Sequence, residues 1–323
     1  MEFFRSVNID WLGKKWYFLG FSLIFSVAGI ISMSVHWAHI GSPVPLGVDF
    51  QGGTQVQVQF KQAPDTEKIR QAMDASGVKD ARIQNIKNVD QASSNDVLIS
   101  LPEQTNETAL DTGREQIEGA LHAHYDNPFT VRNVQVVGPT VGRQLEKQAG
   151  LATLYSMAGM LVYLWFRFQL IYGVAAVVAC FHDTLITVGA FALTNQEISL
   201  TVIAAILTLV GYSMNDTIVV FDRIRENLRI SRREALPDVV NRSINQTLSR
   251  TVLTSGLTFI TVLSLYVFGG QVLRGFSFAL VIGILIGTYS SIAVAAPMLV
   301  AYQEWRGKRG SAAVLPAAKR PKA

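Results

Sequence analysis

Six stretches of the chain are apolar over enough residues to cross a bilayer, which takes about 20 mostly apolar residues per helix. They run roughly from Trp16 to Val35, Ala149 to Phe166, Leu170 to Leu193, Ile198 to Val220, Val252 to Gly269 and Phe276 to Tyr302. Between the first and second the pattern changes period. GTQVQVQF (53–60) alternates apolar and polar positions as a half-buried strand does, and DTEKIRQAMDASG (65–77) has helical spacing with a glycine stop. ARIQNIKN (81–88) and DVLISL (96–101) read as strands, NETALDTGREQIEGALHAHY (106–125) as a helix, and TVRNVQVV (130–137) as a last strand. The order is β-α-β-β-α-β, the ferredoxin-like arrangement. The chain therefore reads as a polytopic α-helical membrane protein with six transmembrane helices and a small α+β ferredoxin-like domain between helices 1 and 2. Its divisions are an N-terminal flank at 1–15, the first transmembrane helix at 16–35, the α+β domain at 36–146, helices 2 to 6 at 147–302 with a polar connection at 221–249, and a tail at 303–323.

Composition agrees: 49% of the 323 residues are hydrophobic and only 16% are charged, too oily for an ordinary soluble protein of this length. The first apolar stretch is too long for the core of a signal peptide and no A-x-A site follows it, so it is expected to remain as an anchor. Charge then sets orientation. The turn 194–197 holds no Lys or Arg and 270–275 only Arg274, whereas 221–249 carries Arg223, Arg225, Arg229, Arg232, Arg233 and Arg242, and the tail is basic as well. Positive charge collects on the cytoplasmic side, so both termini and the Arg-rich connection are expected to be cytoplasmic and 36–146 to face outward. The net charge of +4 is accounted for by these flanks, and no nucleic-acid-binding motif accompanies it. Acids of the outer segment, Asp49 among them, read as a solvated surface. Cys180 is the only cysteine, which excludes disulfides within the chain and thiolate metal sites.

Ionisable residues inside the predicted spans are few: His182 and Asp183 in the third, Asp216 in the fourth and Arg250 at the mouth of the fifth. A charge at the centre of a membrane helix costs roughly 2.5–3.5 kcal/mol on the mildest scale, and such residues are pathway or relay candidates. Asp216 lies about four residues, or some 6 Å, inside the end of its apolar stretch. That is deep enough for burial to favour the neutral acid and shallow enough for an Arg at the start of the next helix to favour the anion. Tyr212, Ser213, Asn215 and Thr217 supply hydroxyl and amide groups around it. His182 and Asp183 are adjacent, hence about 100° apart around a helix, and are not expected to face one another. Asp183 is either a second relay group or a buried acid bonded to a neighbour. Arg250 alone would read as a side chain reaching for the interface.

Gly283 and Gly287 stand at small-xxx-small spacing, with Ser291 continuing their face, a pattern that permits close helix approach. SRRE (231–234) has the form of a capping box opening an amphipathic helix. No Ser-x-Gly elbow, HExxH or phosphate loop occurs, so no enzyme chemistry and no cofactor are expected.

GVDFQGGT (47–54), VGPTVG (137–142), FHDTLIT (181–187), GYSMNDTIVVFDRIREN (211–227) and NQTLSRTVLTSG (245–256), in that order, closely resemble the SecF family. That family is one half of the SecD/SecF accessory complex of bacterial protein export, within the resistance-nodulation-division superfamily, and the resemblance covers nearly the whole chain. It implies a subunit that works with SecD beside the SecYEG channel, using the proton-motive force to draw an exported preprotein outward across the inner membrane. Protons are then the coupling ion, and Asp216 and Arg250 match the family's proton-pathway residues. A proton-driven small-molecule or lipid exporter of the same superfamily is the alternative, but it should carry a large porter domain in each half. Here the single outer segment has the size of one small domain.

Overall fold

The computed structural model describes residues 8–78, 81–86, 95–102, 112–168, 170–231 and 234–308. Helix α1 (Lys15–Ile40) ends at Gly41, whose φ of +73° is the left-handed conformation glycine adopts freely. A single turn, α2 (Val48–Gln51), leads into β1 (Gly53–Phe60), α3 (Thr66–Ala75), β2 (Arg82–Ile86), β3 (Asp96–Pro102), α4 (Thr112–His124) and β4 (Phe129–Val137). The four strands form one antiparallel sheet in the order β2-β3-β1-β4. This is the ferredoxin-like order read from the sequence; residues 87–88 and 106–111 of the predicted elements lie outside the described residues.

Period two explains the layering. Val56, Val58 and Phe60 point to the face covered by α3 and α4, where they meet Ile69, Met73, Ile117 and Leu121, while Gln55, Gln57 and Gln59 take the opposite face. Burying each such apolar side chain is worth about 1.5–3 kcal/mol, enough to fix the register, because a one-residue slip would turn the whole set to water. Asp65 opens α3 by accepting from the backbone N–H of Glu67 at 3.0 Å.

The remaining chain forms α5 (Pro139–Arg167), α6 (Leu170–Thr194), α7 (Leu200–Ile230), α8 (Leu236–Phe268) and α9 (Gly270–Ser290), then a π-helical turn (Ser291–Ala295) and α10 (Ala296–Lys308). Among the described residues, six helical stretches are long and apolar enough to cross a membrane, the last running from Val272 to Trp305 through the π turn. Helices α7 and α8, of 31 and 33 residues, exceed the roughly 20 needed to span. Their extra turns take up most of the polar connection 221–249 as a stem, closed by Asn227 donating to Ser243 Oγ at 2.8 Å and Arg223 donating to Gln246 Oε1 at 2.7 Å.

The SRRE expectation needs correction. Ser231 closes α7, its N–H donating to the Asn227 carbonyl at 2.8 Å; Ala235 precedes α8, whose first turn carries Pro237. Glu234 pairs with Arg242 at 2.7 Å instead of folding back to cap, because a proline already opens the helix.

Helices α6, α7 and α9 are the most enclosed, whereas α1, α5 and α8 leave Trp16, Leu154, Tyr155, Leu257 and Ile260 exposed. Glycines set the approach of α9 to α7: a Cβ on Gly287 would stand 3.0 Å from Ser213 Cβ, and one on Gly283 2.5 Å from the Leu209 methyls. The spacing of Gly283 and Gly287 thus does pack a helix pair. Gly29 and Gly189 bring α1 and α6 together in the same way. Two apolar clusters fill the bundle. One centres on Phe191, Val202, Leu209 and Leu280, the other on Tyr172, Met214, Phe221 and Leu299.

Candidate functional site

Between the two clusters lies a polar layer. Asp183, Thr187, Ser213, Asp216, Thr217, Thr251, Ser255, Ser290 and Ser291 are all buried there, and each polar group so placed needs a partner. Asp183 is fully enclosed: its Oδ1 lies 3.0 Å from His182 Nδ1, and its Oδ2 accepts from Ser213 Oγ at 2.5 Å. His182 in turn reaches Ser22 of α1, Nε2 to Oγ 2.6 Å. Asp216, 2% exposed, accepts from Ser255 Oγ of α8 at 2.7 Å. Thr288 and Ser290 of α9 lie beside Asp216 and Asp183 respectively, without closing a hydrogen bond. The Tyr212 and Thr251 hydroxyls are buried with no partner among the described residues.

The candidates from sequence are thus partly assembled. Ser213 serves Asp183, and Thr217 turns back to the Ser213 carbonyl at 3.2 Å. Asn215 is exposed on α7 and faces away from the layer, since it precedes Asp216 by one residue and sits about 100° around the helix. Arg250 is exposed on α8, within electrostatic reach of Asp216, and no ion pair joins the two. The expectation that His182 and Asp183 do not face one another is wrong. Their Cα–Cβ bonds do diverge, but rotation about the side-chain bonds lets Nδ1 and Oδ1 converge. Ser255 and Ser22 were not singled out; Ser255 stands inside NQTLSRTVLTSG, and its only signal was a position five residues beyond Arg250.

A second cluster joins the α+β domain to the bundle. Ahead of α2, Gly47 N–H donates to the Ile198 carbonyl and Ile198 N–H to the Pro45 carbonyl, both at 2.9 Å. Asp49 is only 9% exposed, which overturns its reading as a solvated acid. It accepts from Leu200 N–H at 2.9 Å and from Gln135 Nε2 at 2.6 Å. Leu200 is the first residue of α7, so a carboxylate from another element caps the positive end of that helix. Glu197, in the turn between α6 and α7, accepts from Arg82 Nη1 at 3.0 Å and Gln84 Nε2 at 3.2 Å, both on β2. Burial pushes the Glu197 carboxyl above its ordinary value, Arg82 opposes that rise and the nearby Asp49 adds to it. Gly142 on α5 completes the joint, because a Cβ there would stand 2.6 Å from the Phe50 carbonyl oxygen.

Comparison with known proteins agrees with this architecture. Residues 117–305 match the C-terminal family of protein export membrane proteins SecD/SecF, and 40–64, which include α2 and β1, match the SecD/SecF GG motif. The protein translocase subunit SecF of Koribacter versatilis is 56% identical over 97% of this chain and 96% of its own. That of Calditerrivibrio nitroreducens is 43% identical over 90% and 93%. The crystal structure of SecDF, a translocon-associated membrane protein from Thermus thermophilus, superimposes with a TM-score of 0.79 at 35% identity. The match covers 93% of this chain but only 39% of the SecDF chain. With its family match reaching across more than half of its length and its relatives aligned almost end to end, the chain belongs to the SecD/SecF family of protein export membrane proteins, on the SecF side.

Proposed function

We propose that the protein is the SecF-type accessory subunit of the Sec translocase, which together with SecD uses the proton-motive force to promote late steps of preprotein export through SecYEG. Asp216 and Arg250 are the proton-pathway residues of this reading. The protein sits in the bacterial inner membrane with both termini cytoplasmic and the α+β domain periplasmic, on the argument from its Arg-rich stem.

The setting of Asp216 carries the reading. Its one closed side-chain hydrogen bond comes from a neutral hydroxyl, Ser255, which can serve a carboxylate as donor or a carboxylic acid as acceptor. A movement of α8 that turned Arg250 inward would favour the anion and expel a proton; its return would let the proton back. Each charge crossing the membrane supplies about 2.3 kcal/mol per 100 mV, enough to bias a two-state helix arrangement.

The test is Asp216→Asn in cells lacking their own SecF, with SecD retained and membrane levels matched, following accumulation of unexported precursor. Export is expected to fall towards the level without SecF. Normal export would leave Asp216 as packing and move the relay elsewhere.

A further inference from the structure

The Asp216 pathway leaves one feature of the polar layer unused, the unbroken run Ser22, His182, Asp183, Ser213. It crosses three helices, α1, α6 and α7, whereas Asp216 bonds in the other direction, to α8. Both carboxylate oxygens of Asp183 are engaged, and the acid is completely enclosed. Among the described residues, His182 is the only titratable side chain that closes a contact with it.

We propose that His182 is a positioning residue that sets the proton affinity of Asp183, and that the run from Ser22 to Ser213 is a second proton-responsive element joining α1 to the bundle. The inference rests on the proton-driven reading above. With Asp183 anionic, Nδ1 must carry the proton that faces Oδ1, and in the neutral ring Nε2 then accepts from Ser22. With Asp183 protonated on Oδ1, the ring accepts at Nδ1 and carries its proton on Nε2, which donates to the Ser22 oxygen. One proton gained at Asp183 therefore reverses both bonds between Asp183 and α1, while Ser213 goes on donating to Oδ2, with no atom displaced by more than a hydroxyl or tautomer change. The ring is the part that makes this possible, since it can exchange donor for acceptor at both ends.

Few other groups face the pair. From α6 itself comes Cys180, one turn before Thr184; from α9 comes Tyr289, whose hydroxyl donates to the Phe18 carbonyl of α1 at 2.5 Å. At this level α1 presents Phe18, Phe21 and Phe25 along with Ser22, none of them ionisable. Gly29 and Gly189 meet about two turns further along both helices, seven residues from Ser22 and His182 respectively, so α1 is already seated where the bond forms.

The experiment uses the full chain with its SecD partner in lipid nanodiscs and follows carboxylic C=O bands by infrared difference spectroscopy during acidification. The Asp183 band is identified by its loss in Asp183→Asn and its retention in Asp216→Asn. In His182→Leu its midpoint is expected to move by about one pH unit or more, a tenfold change in proton affinity. His182→Gln, which keeps a hydrogen-bonding side chain but cannot exchange tautomers, is expected to move it as well, and Ser22→Ala to move it less. A midpoint unmoved in both His182→Gln and His182→Leu would make His182 a helix-packing residue and overturn the proposal. So would the absence of any Asp183 band over the accessible range. If His182→Leu fails to assemble, His182→Gln and Ser22→Ala decide the matter. The spectrum does not depend on export, so failure of the export reading in the Asp216→Asn strain and failure of this one are told apart.

Discussion

At the scale of single residues, the joint between domain and bundle gives the sharpest contrast. Glu197 is largely enclosed, its side chain 12% exposed, and its carboxyl is raised above the ordinary glutamate value, so the folded protein takes up this proton before the unfolded chain does. Stability from this group is therefore greatest at low pH and declines as pH climbs from the ordinary value through the raised one. Arg82 limits the decline by pairing with the anion. Arg82→Met should then cost about 1–3 kcal/mol at neutral pH by leaving a buried carboxylate short of a donor, and the loss should shrink on acidification. Glu197→Gln should cost much less at neutral pH and flatten the pH dependence; thermal unfolding followed through the domain from pH 5 to pH 8 checks both. Asp49 was hidden in the sequence because the helix end it caps is 151 residues away, and no local pattern reports such a contact. The bond between His182 and Asp183 was missed for the opposite reason. The helical wheel places Cβ atoms well and says nothing of where a three-bond side chain ends.

Elements were far easier to read. A run of about 20 apolar residues has one cheap environment, and a strand buried on one face must alternate, so the spans and the βαββαβ order are legible in the pattern itself. Helix ends did not. The stem beyond the membrane is polar, and hydropathy stops at Val220 although the backbone continues to Ile230. The glycine contacts sharpen the element-level forecasts. Gly142→Ala would drive a methyl against the Phe50 carbonyl, which belongs to backbone and cannot step aside. It should loosen α5 from α2 at a cost of about 1–3 kcal/mol, visible as faster hydrogen exchange at residues 47–52. Gly283→Ala adds one methyl against the two methyls and Cγ of Leu209 and should be tolerated better than Gly287→Val, which sets a branched side chain against Ser213 and so bears on Asp183. Export measured for the two variants should rank them in that order.

For the molecule as a whole, the uneven enclosure of the helices matters most. Outward side chains such as Leu257 and Ile260 of α8, 67% and 60% exposed, contribute little to the chain's own packing. If a SecD partner binds the folded chain and not the unfolded one, its presence should raise the unfolding midpoint with increasing SecD concentration, by mass action; a fluorescence melt of the chain with and without SecD checks this. The π turn Ser291–Ala295 has a consequence of a different kind. A helix that takes one residue more than an α-helical turn offsets the phase of everything after it by about a hundred degrees. Leu299 and Val300, wholly or almost wholly buried, face inward because of that extra residue. Deleting Ala293 alone would leave the span long enough and oily enough to insert, and every composition-based reading of it intact, yet it would wind the C-terminal half of the span round so that its core-facing side looked at lipid.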